Sequence, residues 1–267
     1  MNRRFKDERN TVRILVCFSH CELREPRQDD AMNKRVLVTG AGSGVGRAVA
    51  VSMAAAGWKV ILVGRRFDLL QETALLISPS NDNLMILPGD VGEINDVNKI
   101  RQQVKEWCGG IDVLVNSAGT NVPRRSLEVL SNEDYATMMN ANLNGAFYLT
   151  QAFLPGMRER GDGTIVNIVS DAGKQASPKA GPGYVISKFG MAGLTQAINA
   201  EERSRGIRAC SIFPGDIDTP ILDKRPSPPP SDARAKMLQP VDIAECVMLV
   251  VNLPQRALVE EILIRPR

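Results

Sequence analysis

At 267 residues and 43% hydrophobic content, the chain is long enough to bury one substantial core, a size that single α/β domains commonly reach. Its formal charge of +3, from 33 basic against 30 acidic residues, does not suggest a nucleic-acid partner. No run of about 18 apolar residues is present to span a bilayer, and the apolar stretch 14–18 is too short for a secretory signal core, so a cytoplasmic protein without a membrane partner is expected.

Taken from the N-terminus, residues 1–31 are rich in Arg, Glu and Asp and do not fit the pattern that follows. They read as a disordered extension or as an upstream start preceding a natural beginning at Met32. This segment holds Cys17, Cys21 and the single histidine, His20. No second ligand pair follows that cluster, so no metal is expected, and the other cysteines (Cys108, Cys210, Cys246) are too scattered for a disulfide framework or zinc ribbon. With His20 outside the folded region, no imidazole serves acid–base chemistry there, and the work falls to other side chains.

From Met32 to Arg267, short β-branched runs alternate with helical stretches, the signature of βαβ units and a parallel sheet. Seven strands are predicted, at 35–39, 59–63, 84–87, 111–115, 164–169, 207–213 and 259–264, each nearly all apolar as for strands covered on both faces. Helices such as 44–56 and 184–203 lie between them, and right-handed crossovers then give one doubly wound domain with a mainly parallel seven-stranded sheet flanked by helices. The segment 225–231, with Pro226 and Pro228, Pro229 and Pro230, must be a loop.

The first strand runs into Thr39-Gly40-Ala41-Gly42-Ser43-Gly44-Val45-Gly46, where a helical pattern starts. Glycines allow a tight turn and close backbone approach to a pyrophosphate, and the helix N-terminus offers unpaired N–H groups. Placed between the first strand and the first helix, this cluster points to a nucleotide site. After the second strand, where a carboxylate would accept from a ribose 2'-hydroxyl, the chain reads Val63-Gly64-Arg65-Arg66. A 2'-phosphate fits there with Arg65 or Arg66 as its planar, charged partner, which favours NADP(H) over NAD(H). The plain alternative is that both arginines are solvated residues opening a helix.

Downstream, Ser170 follows the fifth strand run, and Tyr184 and Lys188 project from one face of a helix at a spacing of four. A tyrosine titrates near pH 10, and a nearby ammonium favours the phenolate and lowers that value. Ser170 is placed to hold a substrate oxygen near Tyr184.

Taken together, residues 32–267 resemble the classical short-chain dehydrogenase/reductase family, whose fold is a Rossmann domain. Thr39 to Gly46 is similar to the family's TGxxxGxG turn, Asp90-Val91 to its adenine-contacting pair, and Asn116-Ser117-Ala118-Gly119 to its NNAG motif with serine second. Asn142-Leu143-Asn144-Gly145 resembles the helix motif carrying a catalytic Asn, and Pro214-Gly215 with Thr219 the segment at the nicotinamide end. Ser170, Tyr184 and Lys188 keep the family's order.

The resemblance implies a metal-free transfer of hydride between the nicotinamide and a small-molecule carbonyl or secondary alcohol. Tyr184 would donate the proton, Ser170 orient the oxygen, and Lys188 bind the nicotinamide ribose and lower the tyrosine pKa. Asn142 would support a water-linked relay to Lys188. It also implies a homodimer or homotetramer. Each residue has a plainer reading: Asn116 stabilises a turn, Asn142 caps or kinks its helix, Asp90 starts a loop. Substrate choice is expected in the loop after Gly119 with Arg124 and Arg125, in 173–183, and in the Pro-rich segment after Thr219. Arg124 and Arg125 either attract an anionic substrate or simply face water. The C-terminal Arg-Pro-Arg, with no glycine pair, weakens an acyl-chain assignment. Oxidation of a 3-hydroxy acid or polyol, and a non-catalytic NADP(H)-binding regulatory or scaffold role, remain alternatives.

Overall fold

The computed structural model describes residues 34–77 and 82–267, so the expectations for the N-terminal extension, including Cys17, His20 and Cys21, lie outside the described residues. In chain order the regular elements are β1 (Arg35–Thr39), α1 (Gly44–Ala55), β2 (Lys59–Gly64), α2 (Phe67–Ile77), β3 (Leu84–Pro88), α3 (Ile94–Cys108) and β4 (Val113–Asn116). The second half continues with α4 (Asn132–Met139), a π-turn (Asn140–Asn144), α5 (Gly145–Arg160), β5 (Gly163–Ile168), α6 (Pro182–Glu202), β6 (Ile207–Pro214), α7 (Ser231–Arg234), α8 (Pro240–Asn252) and β7 (Glu261–Ile264).

All seven strands join one parallel sheet in the order β3-β2-β1-β4-β5-β6-β7. The alternation of side chains along each strand splits the core in two. Val36 and Val38 of β1 join Val60 and Leu62 of β2 in the layer under α1, α2 and α8, with Val49, Leu70 and Val247. Leu37, Ile61 and Val63 face the other way, onto Ile100 and Val104 of α3, Leu149 and Phe153 of α5, and Ile198 of α6. Burying each such side chain contributes about 1.5–3 kcal/mol, so both faces of the sheet are needed to hold the domain together.

The first strand matches its expected bounds, and the others shift by one to two residues. β4 extends to Asn116 because that residue is still in register with Asn167 on β5. The edge strands depart from double burial: only Leu87 of β3 is buried, and in β7 alternate residues, Glu261 and Leu263, are exposed. Residues 225–230 lie outside helices and strands, and Ser231 already opens α7.

The chain moves outward from β1 to β3, then crosses back to β4 on the other side of β1. The loops after β1 and β4 therefore diverge and leave a crevice beyond the carboxyl ends of the strands.

Candidate active site

The turn after β1 is built for close approach. Gly40 and Gly44 take left-handed backbone (φ +64° and +51°), and a Cβ on Gly46 would lie 2.4 Å from the Gly40 carbonyl oxygen. No side chain of Ser43 caps α1 and no acid sits in the first turn, so the helix N-terminus keeps donors and its positive end for a ligand. The Thr39 hydroxyl accepts the backbone N–H groups of Ser117 (3.0 Å) and Ala118 (2.9 Å), which ties the loop after β4 to the end of β1. The two loops thus form one wall rather than two independent turns.

A cleft of about 840 Å³ runs along that wall, a volume suited to a cofactor plus a small ligand. At one end it is lined by Arg65, Arg66, Asp90 and Val91, and along its length by Gly40, Ser43, Gly44, Val45 and Gly46. Arg65 lies 3.5 Å from the Asp90 carboxylate, which also accepts the Gly92 N–H at 2.9 Å. Val91 is buried, and a Cβ on Gly145 would come to 2.5 Å from its side chain, so Val91 wedges the start of α5. Ala118, Gly119, Pro214, Gly215 and Thr219 complete the middle of the lining.

Ser170, Tyr184 and Lys188 meet at the other end. Pro182 opens α6, supplying the backbone angle a first turn needs, and places Tyr184 and Lys188 on the same face. The turn Asp171–Gly173 is pressed onto that helix: a Cβ on Gly173 would lie 2.9 Å from the Lys188 carbonyl. The Ser170 hydroxyl lies beside the Tyr184 phenol, close enough to favour its ionised form. Ser170 donates to the Asp171 carboxylate (3.2 Å) and accepts the Ala172 N–H (3.2 Å). Lys188 is only 4% exposed and donates to the Ile168 carbonyl at 2.8 Å, with its Nζ 5.7 Å from the centre of the Tyr184 ring.

Residues 34–229 match the family model described as short chain dehydrogenase. The chain belongs to the short-chain dehydrogenase family. An uncharacterized oxidoreductase of Staphylococcus aureus (strain N315) is 34% identical over 234 residues, 88% of this chain and 97% of the relative. An alcohol dehydrogenase from the archaeon Thermococcus sibiricus, solved with 5-hydroxy-NADP, superimposes with a TM-score of 0.77 at 30% identity, covering 87% of this chain and 96% of that one. The closed form of a serine dehydrogenase complexed with NADP+ does so equally, with a TM-score of 0.77 at 32% identity over 87% and 94% of the two chains. This short-chain dehydrogenase is accordingly an NAD(P)-dependent oxidoreductase.

The electrostatics of the short-chain dehydrogenase site differ from the expectation that an ammonium draws the tyrosine down. Desolvation pushes the Tyr184 phenol up to about 12; the Ser170 hydroxyl and the cations Arg225 and Arg125 oppose this, while Asp171 adds to it. Burial takes Lys188 down to about 7, since its contacts are a carbonyl and the Met191 sulfur rather than an anion. A lysine so depressed is only partly charged at neutrality, which explains why it does not dominate its neighbour.

Two expected residues stand behind the cleft rather than along it. Asn116 turns into the sheet, donating to Asn167 (2.9 Å), which in turn donates to Thr195 (2.8 Å), so its side chain braces β4 against β5 and α6. Asn142, fully buried in the π-turn, accepts the Thr120 N–H (2.7 Å) and donates to the Thr120 carbonyl and the Ser187 hydroxyl (both 3.0 Å). Its side chain clamps the loop after β4 to α6.

Sequence reading passed over Asp171 and Arg225, which line the cleft, and Lys224, whose carbonyl accepts from Arg125 beside it. Lys224 donates to the Thr120 hydroxyl at 2.7 Å, and its pKa is lowered by burial first and then by Arg65 and Arg66. Arg225 pairs with Asp216. The signal was slight: charged residues just before a Pro-rich run. Among the described residues, no group of three or more His, Cys, Asp or Glu could hold a metal ion, and no helix is long and apolar enough to cross a membrane.

Proposed function

We propose that this short-chain dehydrogenase uses NADP(H) to pass a hydride between the nicotinamide and the carbonyl or secondary-alcohol carbon of a small molecule. The observation that carries this reading is that Ser170, Tyr184 and buried Lys188 line one end of the same cleft as the glycine turn and the arginine pair.

A phenol held near 12 stays protonated at neutrality, so Tyr184 is a proton donor to an oxygen that is gaining negative charge. Ser170 orients that oxygen against the phenol and stabilises the charge as it develops. Lys188, near 7, gives or takes a proton at its Nζ close to neutral pH and can restore the Tyr184 proton after each turnover. Asn142 is a positioning residue, fixing Thr120 and Ser187 around Lys188.

The open N-terminus of α1 and the backbone of 40–46 suit a pyrophosphate, with Ala118, Gly119, Pro214, Gly215 and Thr219 bounding the remaining length. Asp90 and Val91, which line the cleft with Arg65 and Arg66, are assigned to the adenine end in this reading. Arg65 and Arg66 support a 2'-phosphate, in keeping with the 5-hydroxy-NADP and NADP+ of the two related structures. Exposed Phe147, Ile186 and Phe189 on α5 and α6 support association into a homodimer or homotetramer, and a cytoplasmic setting is part of the same proposal.

The test follows NADPH absorbance over a panel of carbonyl compounds with the wild type and Tyr184→Phe. The variant is expected to bind NADPH as the wild type does and to lose at least about 100-fold in turnover. Turnover within tenfold of wild type would overturn the role of Tyr184.

A further inference from the structure

Arg124 and Arg125 are adjacent in the chain, yet Arg124 is exposed and Arg125 is only 6% exposed. The Arg125 guanidinium lies at the substrate end of the cleft, within electrostatic reach of Tyr184. Its Nε donates to the Val122 carbonyl (2.7 Å), one terminal nitrogen to the Lys179 carbonyl (3.1 Å) and the other to the Lys224 carbonyl. The three loops that vary the substrate end are thereby tied to one side chain.

Those bonds use three of the five guanidinium donors and leave one N–H on each terminal nitrogen. None of its hydrogen-bond partners is an anion. Asp216 is held by Arg225, and Asp171 takes the Ser170 hydroxyl. A buried charge without a counter-ion is costly unless something pairs with it. Burial and then neighbouring Arg225 hold its pKa below the ordinary arginine value, with Tyr184 opposing them.

The position is also built rather than incidental. Gly181, at φ +77°, packs against the stem: a Cβ there would meet the Arg125 carbonyl oxygen at 2.6 Å and its Cβ at 2.8 Å. Only a glycine lets the residue three positions before Tyr184 lie flat on the arginine.

We propose that the substrate of this site carries a carboxylate and that Arg125 binds it, holding the reacting carbonyl or alcohol against Ser170 and Tyr184. The inference rests on the redox reading above and narrows it to keto and hydroxy acids. Two free N–H groups on separate terminal nitrogens match the two oxygens of a carboxylate.

The test pairs α-, β- and γ-keto acids with their methyl esters as substrates with NADPH, and the corresponding hydroxy acids and esters as ligands in thermal-shift titrations of the NADP+-loaded enzyme. At one chain length the acid is expected to exceed its ester in kcat/KM by about 10- to 100-fold. Only the acid should raise Tm. Arg125→Gln should bring the acid-to-ester ratio close to one, and Arg125→Lys, which restores the charge, should recover part of it. A purely structural Arg125 would lower both members together and leave the ratio unchanged. Esters that equal the acids at every chain length in both readouts overturn the proposal. Absence of turnover with any carbonyl would instead count against the redox reading, while the thermal shift still decides carboxylate recognition.

Discussion

Replacing Lys188 with methionine should remove a pH dependence from folding stability, because the fold seats this amine away from water without an anion. Its pKa in the native state is about 7 against an ordinary 10.5, with burial as the cause. Between those values the unfolded chain holds a proton that the native chain has released. Folding in that window therefore releases a proton, which a higher pH favours, so stability rises with pH, at more than about 1 kcal/mol per unit once well above 7. Cys210, raised to about 12 from an ordinary 9, and Cys246, raised by burial in the same way, begin to oppose this as the pH nears 9, and Tyr184, raised to about 12 from 10, does so later. The difference between wild type and Lys188→Met in urea unfolding of the ligand-free protein at pH 7, 8 and 9 therefore isolates the amine. Wild type should gain about 2 kcal/mol more than Lys188→Met across that window. The variant also loses the bond to the Ile168 carbonyl, which shifts its whole curve without tilting it. Parallel curves for the two proteins would refute the depressed lysine and, with it, the assignment of Lys188 as a proton carrier near neutrality.

Arg65→Asp should move cofactor preference toward NADH, lowering the ratio of kcat/KM for NADPH over NADH by at least about tenfold; an unchanged ratio would count against a 2'-phosphate site at the end of β2. Gly46→Ala places a Cβ 2.4 Å from the Gly40 oxygen, so a loss of about 1–3 kcal/mol in urea unfolding and weaker NADPH binding by fluorescence titration are expected. Wild-type affinity in that variant would show that the turn relaxes freely. Asn142→Ala leaves the buried Thr120 N–H and carbonyl without their side-chain partner and should cost about 2–4 kcal/mol in stability. Full stability with lost activity would instead indicate a direct part in the chemistry.

The fold was legible because its strands are long enough to show their composition and the turns between them carry glycine at positions where no other residue fits. β1 was placed to the residue, and the glycine cluster after it was read as a tight turn; that Gly46 in particular sits against the Gly40 carbonyl came only from the structure. Strand ends were less legible. Asn116 reads as a turn residue, yet it closes β4, in register with Asn167 on β5, whose side-chain oxygen accepts from the buried Asn116 amide nitrogen. β7 reads like any central strand and is an edge, because composition does not say how many neighbours a strand has.

Within the site, residue types and spacing pointed to Ser170, Tyr184 and Lys188, and the structure brings them together. Their electrostatic balance was not legible, because charge strength depends on desolvation and desolvation depends on distant chain. Lys188 looked like a fixed ammonium that would draw a tyrosine down. Met191 and the end of β5 enclose it instead, so it is the lysine that yields. The same reasoning separates Arg124 from Arg125. Nothing local distinguishes two neighbouring arginines, and the difference comes from Lys179 and Lys224, 54 and 99 residues away, whose carbonyls close over one guanidinium and not the other. The cationic character of this end of the cleft is thus a property of three loops meeting, and specificity toward an anion can change through any one of them without touching Ser170, Tyr184 or Lys188.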